Sequence, residues 1–103
     1  MEIALWVNEQ DNVATVFSEC VKKGCTVCIV DKKGNQHTVV AQNDIPYAHK
    51  IAIQEIQHGS HIIKYGQSLG VATEKIGVGE HVHIHNLDSE RGRGDKQGVR
   101  YGI

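Results

Sequence analysis

Three histidines alternate with apolar residues in the run His81-Val82-His83-Ile84-His85. In a β-strand, alternate side chains share one face, so the imidazoles would lie about 6.5 Å apart while Val82 and Ile84 face the core. Imidazole transfers protons near neutral pH, and two such histidines with a third ligand form an open metal site. The pattern predicts a catalytic or metal-binding strand face, with a plain polar face made of histidine as the alternative.

A second candidate is the pair His49-Lys50, which follows the turn at Pro46. A neighbouring histidine and lysine can bind a carboxylate and move protons, and the lysine supplies a fixed positive charge. An exposed basic pair is the alternative, and Lys64-Tyr65 has the same two interpretations. The remaining histidines are expected on the surface: His37, His58 and His61.

The spacing Cys25-x-x-Cys28 is found in zinc and redox sites. Structural zinc usually needs four ligands, and the sequence has no second pair of this kind. A thioredoxin-like motif starts a helix, whereas this one leads into a β-branched run. We therefore expect core thiols, and the odd count of three cysteines favours a reducing compartment.

The composition narrows the classes of function. The chain has 103 residues, seven histidines and a net charge of -1, so it can form one core but not a deep, fully walled active site. The near-neutral charge gives no basic field for nucleic acid. No apolar stretch approaches the roughly 20 residues that span a membrane, and the N-terminus lacks a signal-peptide pattern. We expect a cytoplasmic protein without nucleic-acid or membrane partners, and a homo-oligomer remains open.

Short strands separated by glycine-containing turns are the elements that would position these residues. Apolar residues at helical spacing over residues 13–21 predict one amphipathic helix, and residues 31–35 predict a hairpin loop. The fold class is therefore mainly β with one or two short helices. The predicted strands are Ile3–Val7, Thr26–Val30, Thr38–Ala41, His49–Ile53, His61–Tyr65, Ser68–Ala72 and His81–His85.

A pattern apolar-x-x-Gly-x-x-apolar occurs three times. Each copy would be a turn in which glycine takes a backbone conformation that residues with a Cβ avoid, and each would lead into a strand. Chance is the alternative, because the chain contains 11 glycines. The copies are Val21-x-x-Gly24-x-x-Val27, Ile56-x-x-Gly59-x-x-Ile62 and Ile76-x-x-Gly79-x-x-Val82.

Residues 88–103 contain few apolar side chains and cannot build a core. We expect a domain over residues 1–87, followed by a polar C-terminal tail or a linker toward a large catalytic subunit. A segment of this composition orders on a partner or stays solvated without a role.

Three blocks of the sequence resemble the small subunit, or N-terminal SAF-type domain, of the altronate and galactarate dehydratase family. They follow the family's order and spacing over nearly the whole chain. The family usually has glycine before the His-Lys pair, where this chain has Ala48. The blocks are Asp44-Ile45-Pro46-Tyr47-Ala48-His49-Lys50-Ile51-Ala52, then Ile56-x-x-Gly59-x-x-Ile62-Ile63-Lys64-Tyr65-Gly66-x-x-Leu69-Gly70-x-Ala72-Thr73, then Ile76-x-x-Gly79-Glu80-His81-Val82-His83-x-His85-Asn86.

This resemblance implies a β-clip-like SAF fold and a small subunit of a lyase, inactive without its large subunit. The reaction would eliminate water from altronate or galactarate and give a 2-keto-3-deoxy acid. A divalent metal, iron or manganese, would be held mainly by the large subunit. The alternatives are the alpha subunit of a sulfolactate sulfo-lyase, a non-catalytic sugar-acid-binding SAF module and a stand-alone histidine metal-binding protein. The implied site residues are His49, His83 and His85 as catalytic groups and Lys50, Lys64, Tyr65 and Asn86 as substrate-binding groups.

Overall fold

A computed structural model of the chain describes residues 2–89, which form eleven β-strands. This range contains no helix, and so none that is long and apolar enough to cross a membrane. Of the predicted tail, Asp88 and Ser89 belong to the last strand, and residues 90–103 lie outside the described residues. The strands are β1 (Glu2–Trp6), β2 (Val13–Val16), β3 (Cys20–Val21), β4 (Thr26–Asp31), β5 (Gln36–Val40), β6 (Ile45–Pro46), β7 (Lys50–Ala52), β8 (His61–Lys64), β9 (Gln67–Ala72), β10 (His81–Val82) and β11 (Leu87–Ser89).

Six strands form one sheet in the order β10-β7-β2-β1-β4-β5, in which β1 and β4 run parallel and the other neighbours antiparallel. A smaller sheet has the order β11-β9-β8, and β3 pairs with β6. One core, which includes Ile29 and Ile51, lies against the middle of the large sheet. A second core, which includes Val13, Ile62 and Val82, joins the β7–β10 end of that sheet to the smaller one. The prediction of a mainly β domain is confirmed.

The predicted helix over residues 13–21 is wrong, because this segment forms the short strands β2 and β3. All four residues of β2 are buried, since Ala14 and Val16 pack into the first core and Val13 packs into the second. A strand buried on both faces has no polar alternation, and its apolar spacing can then match a helix. The β-branched side chains of Val13, Thr15 and Val16 suit the strand.

The hairpin of β4 and β5 is confirmed. The carboxylate of Asp31 accepts hydrogen bonds from the backbone N–H groups of Lys33 (2.9 Å) and Asn35 (2.8 Å), which closes the loop. The expectation of core thiols also holds: Cys28 is buried in β4, and Cys25 packs against the first core.

The glycine repeat is confirmed as a structural unit. The three central glycines have φ angles of 91°, 87° and 91°, and all six flanking apolar residues are buried. Each glycine N–H donates to the carbonyl of a buried alanine at 2.8 Å, and that alanine's N–H donates to the carbonyl of the residue after the glycine. The pairs are Gly24 with Ala41, Gly59 with Ala72 and Gly79 with Ala52. Three equivalent turns therefore deliver the chain into β4, β8 and β10.

Candidate active site

The candidate site lies at the edge of the large sheet, where β10 pairs with β7. The antiparallel register sets His81 opposite Ile51 and Val82 opposite Lys50. Because His49 directly precedes β7, this pairing carries it next to His81. Ile51 and Val82 are fully buried, so their packing anchors the polar residues beside them.

A strained turn presents His49. Ala48 has a φ of 70°, in the left-handed region that favours glycine, and its N–H donates to the carbonyl of Val16 at 2.8 Å. The N–H of His49 donates to the carbonyl of Pro46 at 3.1 Å, and its own carbonyl accepts from Val16 at 2.9 Å. These bonds fix the backbone on both sides of the imidazole. The left-handed conformation costs a residue with a Cβ about 1–2 kcal/mol.

Four imidazoles form the histidine cluster, which we define as His49, His81, His83 and His85. Nδ1 of His49 lies 2.8 Å from Nε2 of His81, so one of these atoms donates a hydrogen bond to the other. The His49 ring stacks on His83 at a centroid distance of 4.0 Å, and the His85 ring lies 5.0 Å from that of His81. Ligand nitrogens of His49, His81 and His83 all lie within 4.8 Å of one another.

The predicted strand through residue 85 is wrong beyond Val82, because residues 83–86 form a turn. Ile84, expected to face the core, is 82% exposed. Asn86 is buried; its Oδ1 accepts from the His83 N–H at 3.0 Å, and its Nδ2 donates to the His81 carbonyl at 2.8 Å. This turn places the rings of His83 and His85 near that of His81, and the two hydrogen bonds of the buried Asn86 side chain stabilise it.

The surroundings of His81 and His83 favour the neutral form of these two imidazoles. Burial lowers the pKa of His81 to about 4, and the other three histidines and Lys50 add to the shift. Burial also lowers the pKa of His83, followed by the charges of His49, Lys50 and His85. The pKa of Lys50 is lowered by burial and then by Lys64. Lys50 and Lys64 carry the fixed positive charges here, since Lys50 acts on the two histidines and Lys64 on Lys50, and these charges make this face attractive to an anion.

Lys64 is the last residue of β8, and Tyr65 follows it in the turn between β8 and β9. The Lys64 ammonium lies 4.9 Å from the centre of the Tyr65 ring, which is 56% exposed. The buried carboxylate of Asp11 fixes this turn by accepting from the Gly66 N–H at 2.8 Å. The charge of Lys64 lowers the pKa of Lys50, so Lys64 adds to the positive charge beside the histidine cluster. No sequence pattern signals this contact, because Asp11 and Gly66 are 55 residues apart.

The structure brings His49, His83 and His85 together, as the resemblance implied, and adds His81. The signal for His81 was present in its two-residue spacing from His83, but only the pairing of β10 with β7 sets it beside His49. The other histidines are exposed, as predicted: His37, His58 and His61.

The histidine cluster and the two lysines can perform three tasks. The lysines can bind a carboxylate, and the imidazoles can accept or donate a proton. The same imidazole lone pairs can ligate a transition metal.

Several known proteins are similar to this chain over most of its length. Residues 2–90 match the family described as the altronate/galactarate dehydratase SAF domain. The altronate dehydratase of Bacillus subtilis strain 168 is 33% identical over 86 residues, which cover 84% of this chain but only 16% of that protein. The (2R)-sulfolactate sulfo-lyase subunit alpha of Chromohalobacter salexigens is 33% identical over 94 residues, covering 88% of this chain and 99% of that subunit. The corresponding subunit of Paracoccus pantotrophus is 34% identical over 65 residues, covering 63% of this chain and 97% of that subunit. The chain therefore belongs to the altronate/galactarate dehydratase SAF domain family.

Proposed function

We propose that this chain is the small subunit of a sugar-acid dehydratase that eliminates water from altronate or galactarate. The observation that carries the proposal is the histidine cluster next to Lys50 and Lys64, in which the pKa values of His81 and His83 are lowered, in a domain related to altronate dehydratases. The chain spans 16% of the length of the Bacillus subtilis altronate dehydratase, so the rest of the active site would come from a large subunit.

The elimination needs one proton removed and one supplied. A base takes the proton from the carbon next to the carboxylate, the C–O bond breaks at the neighbouring carbon, and the hydroxyl leaves as water after protonation. The resulting enol rearranges to the 2-keto-3-deoxy acid. Lys50 and Lys64 would bind the carboxylate, and Tyr65 would contact the sugar hydroxyls. The imidazoles of His49, His83 and His85 would serve the proton transfers.

His85 is the outermost of these imidazoles. It is exposed, so it is available to protonate the leaving hydroxyl once a partner covers the site. The exposed Ile84 beside it offers an apolar contact for that partner. Asn86 contributes indirectly, because its amide is bonded to the backbone of the turn. The iron or manganese implied by the resemblance would lie mainly on the large subunit and stabilise the charge of the enolate.

Reconstitution tests this function. The purified chain is mixed with the large subunit of a sugar-acid dehydratase, and formation of 2-keto-3-deoxy acid from altronate and galactarate is measured. We expect turnover only in the mixture, and a loss of about 10²–10⁴-fold for His85→Ala, in the range of general acid catalysis. His58→Ala, an exposed histidine away from the cluster, is the matched control. Turnover that does not change when the chain is added would contradict the proposal.

A second candidate is the alpha subunit of a sulfolactate sulfo-lyase. It is favoured by length, because the match extends over 97% and 99% of two such subunits. Sulfite leaves with the electrons of the C–S bond and needs no protonated hydroxyl, so His85→Ala would reduce sulfite release much less than water elimination. A non-catalytic module would instead bind galactarate and give no turnover in any mixture.

A further inference from the structure

We propose that His49, His81 and His83 bind one divalent transition-metal ion on this chain. Their ligand nitrogens lie within 4.8 Å of one another, and two of them are already 2.8 Å apart. A tetrahedral site with Zn–N bonds of about 2.0–2.1 Å separates its ligand nitrogens by about 3.3 Å. That separation lies between the two observed values, and the stacked rings of His49 and His83 would turn about their side-chain torsions to point both lone pairs at one ion.

The backbone already holds the three ligands. His49 sits on the turn fixed by its bonds to Val16 and Pro46. The N–H of His81 donates to Oδ1 of Asn43 at 2.9 Å, and Asn86 binds the backbone of both His81 and His83. These bonds fix the backbone from which the three imidazoles project, so metal binding requires rearrangement of the side chains only.

The chemistry of the donors selects the class of metal. All three ligands are imidazoles, which suit Zn²⁺, Co²⁺, Ni²⁺ and Cu²⁺, whereas Mg²⁺ and Ca²⁺ prefer oxygen ligands. The positive charge of Lys50 next to the cluster also repels cations, so an ion such as Mg²⁺ or Ca²⁺, which imidazole binds weakly, is disfavoured further. Three protein ligands leave a coordination position open for water or for an oxygen of an acid.

Binding of the ion follows from this chain's geometry alone, and only its use in catalysis rests on the proposed function. A metal here would act as a Lewis acid toward a carboxylate or enolate oxygen. His49 and His83 would then serve as ligands, which leaves proton transfer to His85 and to groups of the large subunit.

Titration of the full chain tests the site without substrate or large subunit. After treatment with a chelator, the chain is titrated with Co²⁺ and followed by visible absorption, and Zn²⁺ is then added in competition. We expect one ion per chain, displacement of Co²⁺ by Zn²⁺ and no displacement by Mg²⁺. His81→Gln and His83→Gln should each weaken binding by at least about 10–100-fold, the loss typical of removing even an outer-shell partner.

Two variants are matched controls for histidine content. His58→Ala should bind Co²⁺ like the unchanged chain, and His85→Ala should do so within about threefold. Thermal unfolding of the metal-free variants shows which of them are folded and can be compared. The proposal is overturned if the unchanged chain binds no Co²⁺, if folded His81→Gln and His83→Gln bind it unchanged, or if the two controls lose affinity equally. Failure of the dehydratase assay with a positive titration would reject the function and leave the metal site in place.

Discussion

The turn that carries the histidine cluster should depend on the side chain of Asn86. This amide is 1% exposed and makes two hydrogen bonds, one to the N–H of His83 (3.0 Å) and one to the carbonyl of His81 (2.8 Å). Asn86→Ala removes both bonds and leaves a partly buried donor and a partly buried acceptor without their partner. It also removes the amide atoms that fill the inside of the turn.

The size of the effect follows from these contacts. Each bond contributes about 0.5–1.5 kcal/mol, and an unsatisfied buried group costs about 1–3 kcal/mol. Water can reach the turn in part, because Ile84 and His85 are exposed. We therefore expect Asn86→Ala to lower the free energy of unfolding by about 2–4 kcal/mol. That is a large share of the roughly 5–15 kcal/mol available to a domain.

Urea unfolding of the full chain, followed by Trp6 fluorescence and circular dichroism, measures this loss. Asn43→Ala is the matched control, because it also removes one amide bond to the backbone of His81, but Asn43 is exposed. Water replaces that bond, so the control should lose less than about 1 kcal/mol. The reasoning is refuted if the free energies of unfolding of Asn86→Ala and Asn43→Ala differ by less than about 0.5 kcal/mol, which is the usual error of additivity.

Three further changes have defined outcomes. Ala48→Gly should raise the free energy of unfolding by about 0.5–1 kcal/mol, because relief of the left-handed strain exceeds the added entropy of the unfolded chain, and an unchanged urea midpoint would contradict this. Gly79→Ala should lower the free energy of unfolding by at least about 3 kcal/mol, because the new Cβ would clash with the carbonyl of Val40. Gly59 has a similar φ but open space around it, so Gly59→Ala should lower the free energy of unfolding by only about 1–2 kcal/mol in the same assay. In the metal-free chain, the pKa of His81 is about 4 in the folded state and 6.5 in the unfolded state. The unfolded state therefore binds the proton first, and the free energy of unfolding falls as the pH drops from about 6.5 to 4. After allowance for solvent screening we expect a loss of about 1–2 kcal/mol, measured by urea unfolding at pH 7 and 5, and an equal loss in His81→Gln would refute it.

Most strands were predictable because they are local patterns. Apolar or β-branched runs bounded by glycine or by Asp31 and Asn35 predicted the hairpin and strands β8 and β9, and the glycine repeat predicted three turns; β11 was missed, because two of its three residues are polar. The prediction for residues 13–21 failed, because β2 pairs with β1 and β7 and is buried on one face by the first core and on the other by the second. Those partners are distant in sequence, so nothing within the segment distinguished a buried strand from a helix.

The site was predictable in its residue types but not in its geometry. His49, His83 and His85 were identified, yet the alternation over residues 81–85 indicated a straight strand. The bend after β10 depends on the buried Asn86, whose side chain binds two backbone groups of the turn. Asparagine competes with strand pairing in this way wherever it finds nearby backbone partners, and a periodicity of apolar residues does not report it.

The glycine repeat shows why the histidine cluster forms at one turn and not at another. In each copy, the residue two positions after the glycine pairs with the residue before the bonded alanine: Thr26 with Val40, His61 with Val71 and His81 with Ile51. His61 and His81 therefore hold equivalent backbone positions, yet His61 is exposed and its imidazole contacts Ser68. The difference lies in the partner strand. The chain reaches β7 through the turn that presents His49, and β10 is followed by the turn that Asn86 folds back. The same repeat unit therefore carries a surface histidine in one copy and part of the histidine cluster in the other, because the segments that flank the repeat determine what surrounds the histidine.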